Sequence, residues 1–334
     1  MTQPRPTLHL SGAKLRTAWA TLVHATEAVG GVERFVAALH IKSQAFQDRF
    51  ANDRAVRIER VAFDEIAQLM PTVRRRVGGL IDRHGWPHVC TAIVALLHDA
   101  HVPGSADARI AAFESALATS RETVSSSPSP RSTRGEGRGE GRQQTELEQA
   151  AAPHPNPLPV HVQSKGRGDE RTFRPNDRFL RDLAAEILHN VLPEHYPLMT
   201  RWMWDTKANT GVIREIWHDP TTGDDTDHIV IEVPDTHETF LVLREELSQF
   251  LSDQGIFRDM LWYIDVLSAQ IYAGYINSQG GAWLKTEFAS EGDPLEHTRR
   301  ILGLDARGTG LRARRPRTGD PAIAEGAGKL LAKY

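Results

Sequence analysis

Residues 257–277 read FRDMLWYIDVLSAQIYAGYIN and carry the strongest structural signal in the chain. Their apolar side chains recur at helical spacing, which predicts an α-helix. One face of that helix would comprise Phe257, Leu261, Ile264, Leu267, Ile271 and Tyr275. Because Met260, Trp262, Tyr263 and Val266 make the remaining faces apolar as well, we expect this helix either inside its domain or against a partner.

The sequence around this helix predicts an α+β domain over residues 173–304. Helical spacing is also found at 178–191, and Asp235 with Glu238 has the spacing of a capping box that starts another helix. Residues 212–217 and 229–233 are the best strand candidates, and the turn-rich loop between them predicts a β-hairpin. A lone hairpin is unstable in water, so we expect it to pack on the helices.

Residues 11–120 predict an N-terminal helical bundle, which makes the fold class mainly α. Ser11 is placed to cap the first helix. Gly85 separates two later helices, and Pro87 stands in the first turn of the second, where proline is tolerated. No alternating β-branched run competes with the helical assignment in this region.

The segment between the two domains, residues 121–172, is rich in Pro, Gly and Ser and poor in apolar side chains. This composition predicts a disordered linker, because such a segment cannot bury enough apolar surface to order itself. The strings SSSPSP (125–130), GEGRGEGR (135–142) and PHPNPLP (153–159) resemble the translation product of palindromic intergenic repeats of GC-rich bacterial genomes. That resemblance implies a bacterial source and an insertion between two domains. The prolines of 153–159 leave open a docking peptide for a partner's aromatic groove.

The composition excludes several classes of protein. The chain has 40 basic and 43 acidic residues and a formal net charge of −3, which argues against a surface that coats nucleic acid or an anionic membrane. Cys90 is the single cysteine, which excludes an intramolecular disulfide and a multi-thiolate zinc site. The sequence shows neither an apolar run of about 18 residues nor a secretory leader, so we expect a cytoplasmic protein without membrane contact.

An acidic loop at 218–228 is the candidate metal site. Its potential ligands are Asp219, Asp224, Asp225, Asp227 and His228. Carboxylate oxygens suit calcium or magnesium, but the acids do not follow the EF-hand spacing and no Glu closes the loop. A solvated turn has the same composition and is the favoured interpretation.

Residues 32–50 have the outline of a helix-turn-helix, with a turn at His40–Ser43. In that arrangement Lys42, Gln44, Gln47 and Arg49 are the candidate DNA-binding residues. Two consecutive short helices of a bundle produce the same pattern, so DNA binding is the weaker interpretation. The basic tail at 305–334 is predicted to be flexible, with arginines that suit nucleic acid or an acidic partner.

Aromatic residues are concentrated in the second domain. The candidate partner-binding residues are Trp202, Trp204, Trp262, Tyr263 and Tyr275. A packed core explains the same concentration, whereas an exposed aromatic patch is typical of interfaces and ligand clefts.

The sequence contains no G-x-S-x-G elbow, P-loop or H-E-x-x-H helix. No catalytic residue and no cofactor is therefore predicted. The expected function is non-enzymatic binding of another protein or of a second copy of the chain. A DNA-associated regulator using residues 32–50, and a metal-dependent or motif-less enzyme using the 218–228 loop, are the alternatives.

Overall fold

The computed structural model describes residues 5–50, 58–102, 106–118, 178–225, 228–279 and 295–306. These residues are mainly helical, as predicted, and they form no strand ladder, only three isolated bridges. The helices within the described ranges are α1 Gly12–Glu27, α2 Glu33–Phe50, α3 Arg60–Ala67, α4 Arg74–His84, α5 Trp86–Leu97, α6 Ala106–Ala118, α7 Phe179–Val191, α8 Val212–Glu215, α9 His237–Asp253, α10 Met260–Gln279 and α11 Glu296–Ile301.

Two helix boundaries follow directly from local sequence. Ser11 is the N-cap of α1, and its hydroxyl accepts a hydrogen bond from the Lys14 amide at 3.2 Å. Gly85 has φ of 77° and stands between α4 and α5, where a side chain would be strained. Pro87 lies in the first turn of α5, where a missing amide donor costs nothing.

The predicted β-hairpin is absent from the described residues. Val212–Glu215 is the short helix α8 instead of a strand, and both Val212 and Ile213 are fully buried. Their amides donate to the carbonyls of Trp202 and Met203, so this segment satisfies its backbone within a compact turn. Burial of the two β-branched side chains in a helical core therefore overrides their preference for strands.

The second predicted strand, at 229–233, is extended but has no strand partner in the described residues. Side chains satisfy its backbone: the Ile229 carbonyl accepts from Asn209 and Arg214, and the Ile231 amide donates to the Asn209 side chain. The segment is thus held by side chains of the 209–214 region and not by a ladder.

The predicted turn at His40–Ser43 is wrong, because α2 runs through it without interruption from Glu33 to Phe50. Phe35, Leu39, Phe46 and Phe50 are all buried and follow helical spacing across the predicted turn. One continuous apolar face is better buried by a single straight helix than by two short ones.

The predicted capping box at Asp235–Glu238 is also wrong. Helix α9 begins at His237, and its first amide donates to both carboxylate oxygens of Asp107 on α6, at 3.0 and 3.1 Å. Asp235 instead forms an ion pair with Arg181 at 2.7 Å. A carboxylate from another helix therefore satisfies the start of α9.

Helices α7 and α10 lie at the centre of the molecule. Helix α10 packs against α1, α2, α8, α9 and α11, while α7 packs against α2, α5 and α6. Helices from both sides of 119–177 thus contribute to one hydrophobic cluster. The domain limits 11–120 and 173–304 stay a prediction, and the linker 121–172 and most of the tail, 307–334, lie outside the described residues. No described helix combines the length and the hydropathy needed to cross a bilayer.

Candidate interaction cleft and the buried polar row behind it

One face of α7 carries a row of buried polar side chains. Asp182, Glu186, His189 and Asn190 are spaced four, three and one residues apart, which places them along one side of the helix. All four are buried. Polar groups removed from water are costly unless they are paired, so the partners of this row determine which helices can pack on α7.

Glu186 pairs with Lys42 of α2, at 3.2 Å between Oε2 and Nζ. Both side chains are almost completely buried, and Lys42 also donates to the Leu302 carbonyl at 3.1 Å. Burial raises the pKa of Glu186, and the attraction of Lys42 opposes that rise. Lys42, a candidate DNA-binding residue, is therefore enclosed in the interior, where it joins α2, α7 and the residues after α11.

His189 pairs with Asp265 of α10, at 2.8 Å between Nε2 and Oδ2. Its other ring nitrogen, Nδ1, lies 2.8 Å from the Tyr196 carbonyl. Burial opposes a charge on the ring, but the Asp265 carboxylate and these hydrogen bonds outweigh it, so the pKa of His189 is raised. Since both nitrogens are engaged, His189 has no free position from which to accept a proton from a substrate.

Trp262 lies between the buried His189 and the exposed His40. Its ring meets His189 edge-on, with 5.8 Å between ring centroids, and meets His40 in the same way at 5.3 Å. The Trp262 side chain is 5% exposed. The indole is thus a wall between His189 and the outside of the molecule on the side of α2.

Outside this wall lies a cleft of about 360 Å³ between α2, the 191–195 connection and the start of α10. Its lining combines an apolar floor with a polar rim: Val191, Leu192, Pro193, Leu261 and Trp262, with His40, Ser43, Gln44, Gln47, Glu194 and His195. This composition resembles that of ligand and partner sites, in which a few polar groups surround apolar surface.

The rim is ordered by local hydrogen bonds. His40 Nε2 lies 2.8 Å from Asp259 Oδ1. This hydrogen bond joins α2 to the residue before α10. Asp259 has φ of 55°, an uncommon conformation that Asp tolerates better than most residues. Gln44 donates to Asp48 at 2.8 Å, and Gln47 donates to the Ser43 hydroxyl at 3.2 Å.

Two of the four candidate DNA-binding residues, Gln44 and Gln47, line the cleft. Arg49 lies outside it and forms an ion pair with Glu65 at 3.3 Å. The structure therefore does not present the four side chains as one surface.

The candidate partner-binding aromatics are mostly interior. Trp202, Trp204, Trp262 and Tyr263 are buried, and Tyr275 is half-buried. The Trp204 indole donates to the Val233 carbonyl, and the Tyr263 hydroxyl donates to Glu33. Of the five, Trp262 is the one that lines the cleft. Most apolar side chains of α10 are thus covered by the chain itself, whereas Phe257 of the predicted face is 76% exposed, and the partner-binding role stays a prediction.

The acidic loop folds on itself. Asp219 Oδ1 accepts from the amides of Thr221 and Thr222, and these bonds lower the pKa of Asp219. Asp224 pairs with His218 at 2.9 Å, a hydrogen bond that lowers the pKa of Asp224. Asp225 and His228 lie in the described part, whereas Asp227 does not. Within the described part of the chain, no three His, Cys, Asp or Glu side chains are grouped so that they can hold a metal ion.

Sequence reasoning missed His40, Glu194 and His195 of the rim. Nothing in their local sequence marks them, because the rim is assembled from three segments separated by up to about 220 positions. The buried polar row of α7 could have been found from a weak sequence signal. Asn190 and the carboxylates of α7 lie on an otherwise apolar helical face, where polar residues are unusual unless they have partners.

Comparison with protein-family models, with curated proteins and with solved structures finds no match to this chain.

Proposed function

We propose that this chain is a non-enzymatic, bacterial cytoplasmic protein that binds another protein through the cleft between α2, residues 191–195 and the start of α10. The observation that carries the proposal is the cleft itself, in which Leu261 and Trp262 form an apolar floor inside a hydrogen-bonded polar rim. Protein interfaces have the same arrangement, with an apolar centre surrounded by polar residues.

Exposed apolar side chains adjoin the rim. Ile41 is 50% exposed and follows His40, while Phe257 is 76% exposed and stands two residues before Asp259. His40 and Asp259 are hydrogen-bonded to each other, so both apolar side chains are attached within two residues of the rim. A partner that fills the cleft can therefore also cover exposed apolar surface next to it.

The interior titratable groups favour binding over catalysis. His189 is bonded at both nitrogens, and Glu186 is enclosed with Lys42. A general acid or base must reach a substrate atom, which these groups cannot do in this structure. They serve instead to hold α2, α7 and α10 together behind the cleft.

The test is site-specific photo-crosslinking in the native cell, followed by binding of the purified partner. A photoreactive residue at Gln44 should capture one protein that the same residue at the exposed Val230 does not capture. The Gln44→Arg variant should then bind the purified partner about tenfold more weakly, because a large cation replaces a rim group.

Gln249→Arg is the matched control for this measurement, because Gln249 makes the same four-residue bond, to Asp253, and does not line the cleft. Equal binding by both variants, or equal capture from positions 44 and 230, contradicts the proposal.

A further inference from the structure

We propose that, in the free protein, this cleft is occupied by residues 307–334 of the same chain, and that a protein partner binds by displacing them. The inference rests on the proposed function, since it names what the partner must compete with. Three observations support it: where the described chain ends, the charge of the rim, and the composition of the segment.

The described chain ends close to α2. The Lys42 ammonium donates to the Leu302 carbonyl at 3.1 Å, and the next residue on α2, Ser43, lines the cleft. Asp305 is held by two hydrogen bonds from the Arg74 guanidinium, each 2.8 Å long. The chain therefore leaves the described part at Ala306, one residue after a position held by α4 and four residues after one held by α2.

The segment that follows, residues 307–334, is long enough to reach the cleft. Residues 307–334 span at most roughly 90 Å when extended at ~3.3 Å per residue. That is several times the width of a single helix, which is about 10–12 Å with its side chains. The segment can thus cross from Ala306 to the cleft with residues to spare.

The charges of the rim and of the segment are opposite. Glu194 lines the cleft, Asp259 is bonded to His40 at its edge, and Asp48 is bonded to Gln44. Of the nearby cations, Arg49 pairs with Glu65, whereas Arg244 lies beside Glu194 and donates to its carbonyl. The segment carries Arg307, Arg312, Arg314, Arg315, Arg317, Lys329 and Lys333 against Asp320 and Glu325. Opposite charge favours this encounter over contact with a basic surface.

The last six residues of the segment read KLLAKY, at positions 329–334. Leu330, Leu331 and Tyr334 supply apolar side chains for the floor, and the two lysines flank them for Glu194 and Asp259. A cleft of about 360 Å³ is at the small end of ligand sites, which suits a few side chains and not a folded element. Attachment to the same chain raises the local concentration of these residues to about the millimolar range, so weak contacts suffice.

Disulfide trapping in the full-length protein tests this placement. Cys90→Ser removes the native thiol, and Gln44→Cys with Ala332→Cys places one thiol on the rim and one in the KLLAKY string. In dilute protein under mild oxidation, we expect an intramolecular disulfide to form about tenfold faster than in the control pair Val230→Cys with Ala332→Cys. Val230 serves as the control because it is exposed and belongs to a different part of the molecule. The carbonyl of the preceding residue, Ile229, accepts a hydrogen bond from Arg214. The charge of Arg214 acts on Tyr275, near the end of α10 opposite to Trp262.

The rate of this disulfide should also respond to the charge of the rim and to a competing peptide. Glu194→Gln and added salt should each slow the Gln44–Ala332 disulfide several-fold, because both weaken attraction at the exposed rim. A synthetic peptide of residues 307–334 should slow it as well, by occupying the cleft in trans.

Equal rates for the rim pair and the control pair would overturn the proposal. Disulfide-linked dimers from the rim pair in dilute solution would overturn it too, since a second copy would then be the occupant. If trapping fails while a partner is still captured from Gln44, the proposed function stands without this inference. If trapping succeeds and no partner is captured, the segment occupies the cleft and the proposed function is wrong.

Discussion

At the scale of single residues, the distinctive feature is His189 between two acceptors. The Tyr196 carbonyl can only accept, so Nδ1 carries a proton and donates to it, and Nε2–H donates a second hydrogen bond to the Asp265 carboxylate. The arrangement therefore stabilises the charged imidazolium, in agreement with the raised pKa of His189. A histidine with this pairing joins α7 to α10 and does so in a pH-dependent way.

This pairing predicts a pH-dependent loss of stability for His189→Gln. Because the folded-state pKa of His189 is raised, its contribution is fully present below the unfolded-state value of about 6.5 and declines as the pH rises through the folded value. We expect the variant to lower the free energy of unfolding by about 3 kcal/mol near pH 5.5, since Asp265 then stays buried without its partner, and by less near pH 9. Urea denaturation at both pH values measures this difference.

His24→Gln is the control, because His24 is exposed on α1 and has only a long contact with Glu27, at 3.7 Å. It should change stability little at either pH. A loss for His189→Gln that is the same at both pH values would show that the ring acts by packing and not through its charge.

At the scale of secondary-structure elements, the beginning of α9 shows how a tertiary contact replaces a local cap. The sequence offers Asp235 and Glu238 with capping-box spacing, yet the first amide of α9 donates to Asp107 of α6. Arg181 of α7 draws Asp235 away, and the exposed Glu238 pairs with Arg5. Three helices, α6, α7 and α9, are thereby joined at one point.

This arrangement predicts effects of different size for two single substitutions. Asp107→Ala should lower the free energy of unfolding by about 1–2 kcal/mol, the usual effect of removing a helix cap. Glu238→Ala should change it by less than about 0.5 kcal/mol, because an exposed ion pair contributes little. Chemical denaturation monitored by helical circular dichroism measures both values. If Glu238→Ala proves the more damaging change, the capping box forms in solution.

At the scale of the whole molecule, helices from both sides of 119–177 share one hydrophobic cluster. Helix α6 ends at Ala118 and α7 begins at Phe179, and these two helices pack against each other. The connection between them therefore closes a loop between contacting elements. Shortening such a loop lowers the entropic cost of closure without removing a described contact.

Deletion of residues 125–165 should accordingly leave the fold intact. We expect the melting temperature to stay the same or to rise slightly, because closing a loop of about one third of the length gains roughly 1 kcal/mol at most. Differential scanning calorimetry of the full chain and the deletion variant measures this. A fall of several degrees would show that the 125–165 segment stabilises the folded chain.

Local patterns in the sequence predicted most of the helices but failed where distant residues compete. The Ser11 cap, the Gly85 boundary and the α10 helix follow from side chains within a few positions of each other. The hairpin failed because Val212 and Ile213 gain more from burial in a helical turn than from pairing as a strand. The cleft was not predicted: Gln44 and Gln47 were candidates for DNA binding and Trp262 for partner binding, and its rim joins segments far apart in the chain.

The sequence by itself determined most of the helical segments, because apolar periodicity, caps and glycines act over one or two turns. Tertiary structure alone decided how α7 and α10 are enclosed and where the cleft opens. The physical reason is the pairing of buried charges: Glu186 requires Lys42, and His189 requires Asp265, from helices more than 70 positions away. Only the folded chain brings those partners together, and the surface that they support exists only there.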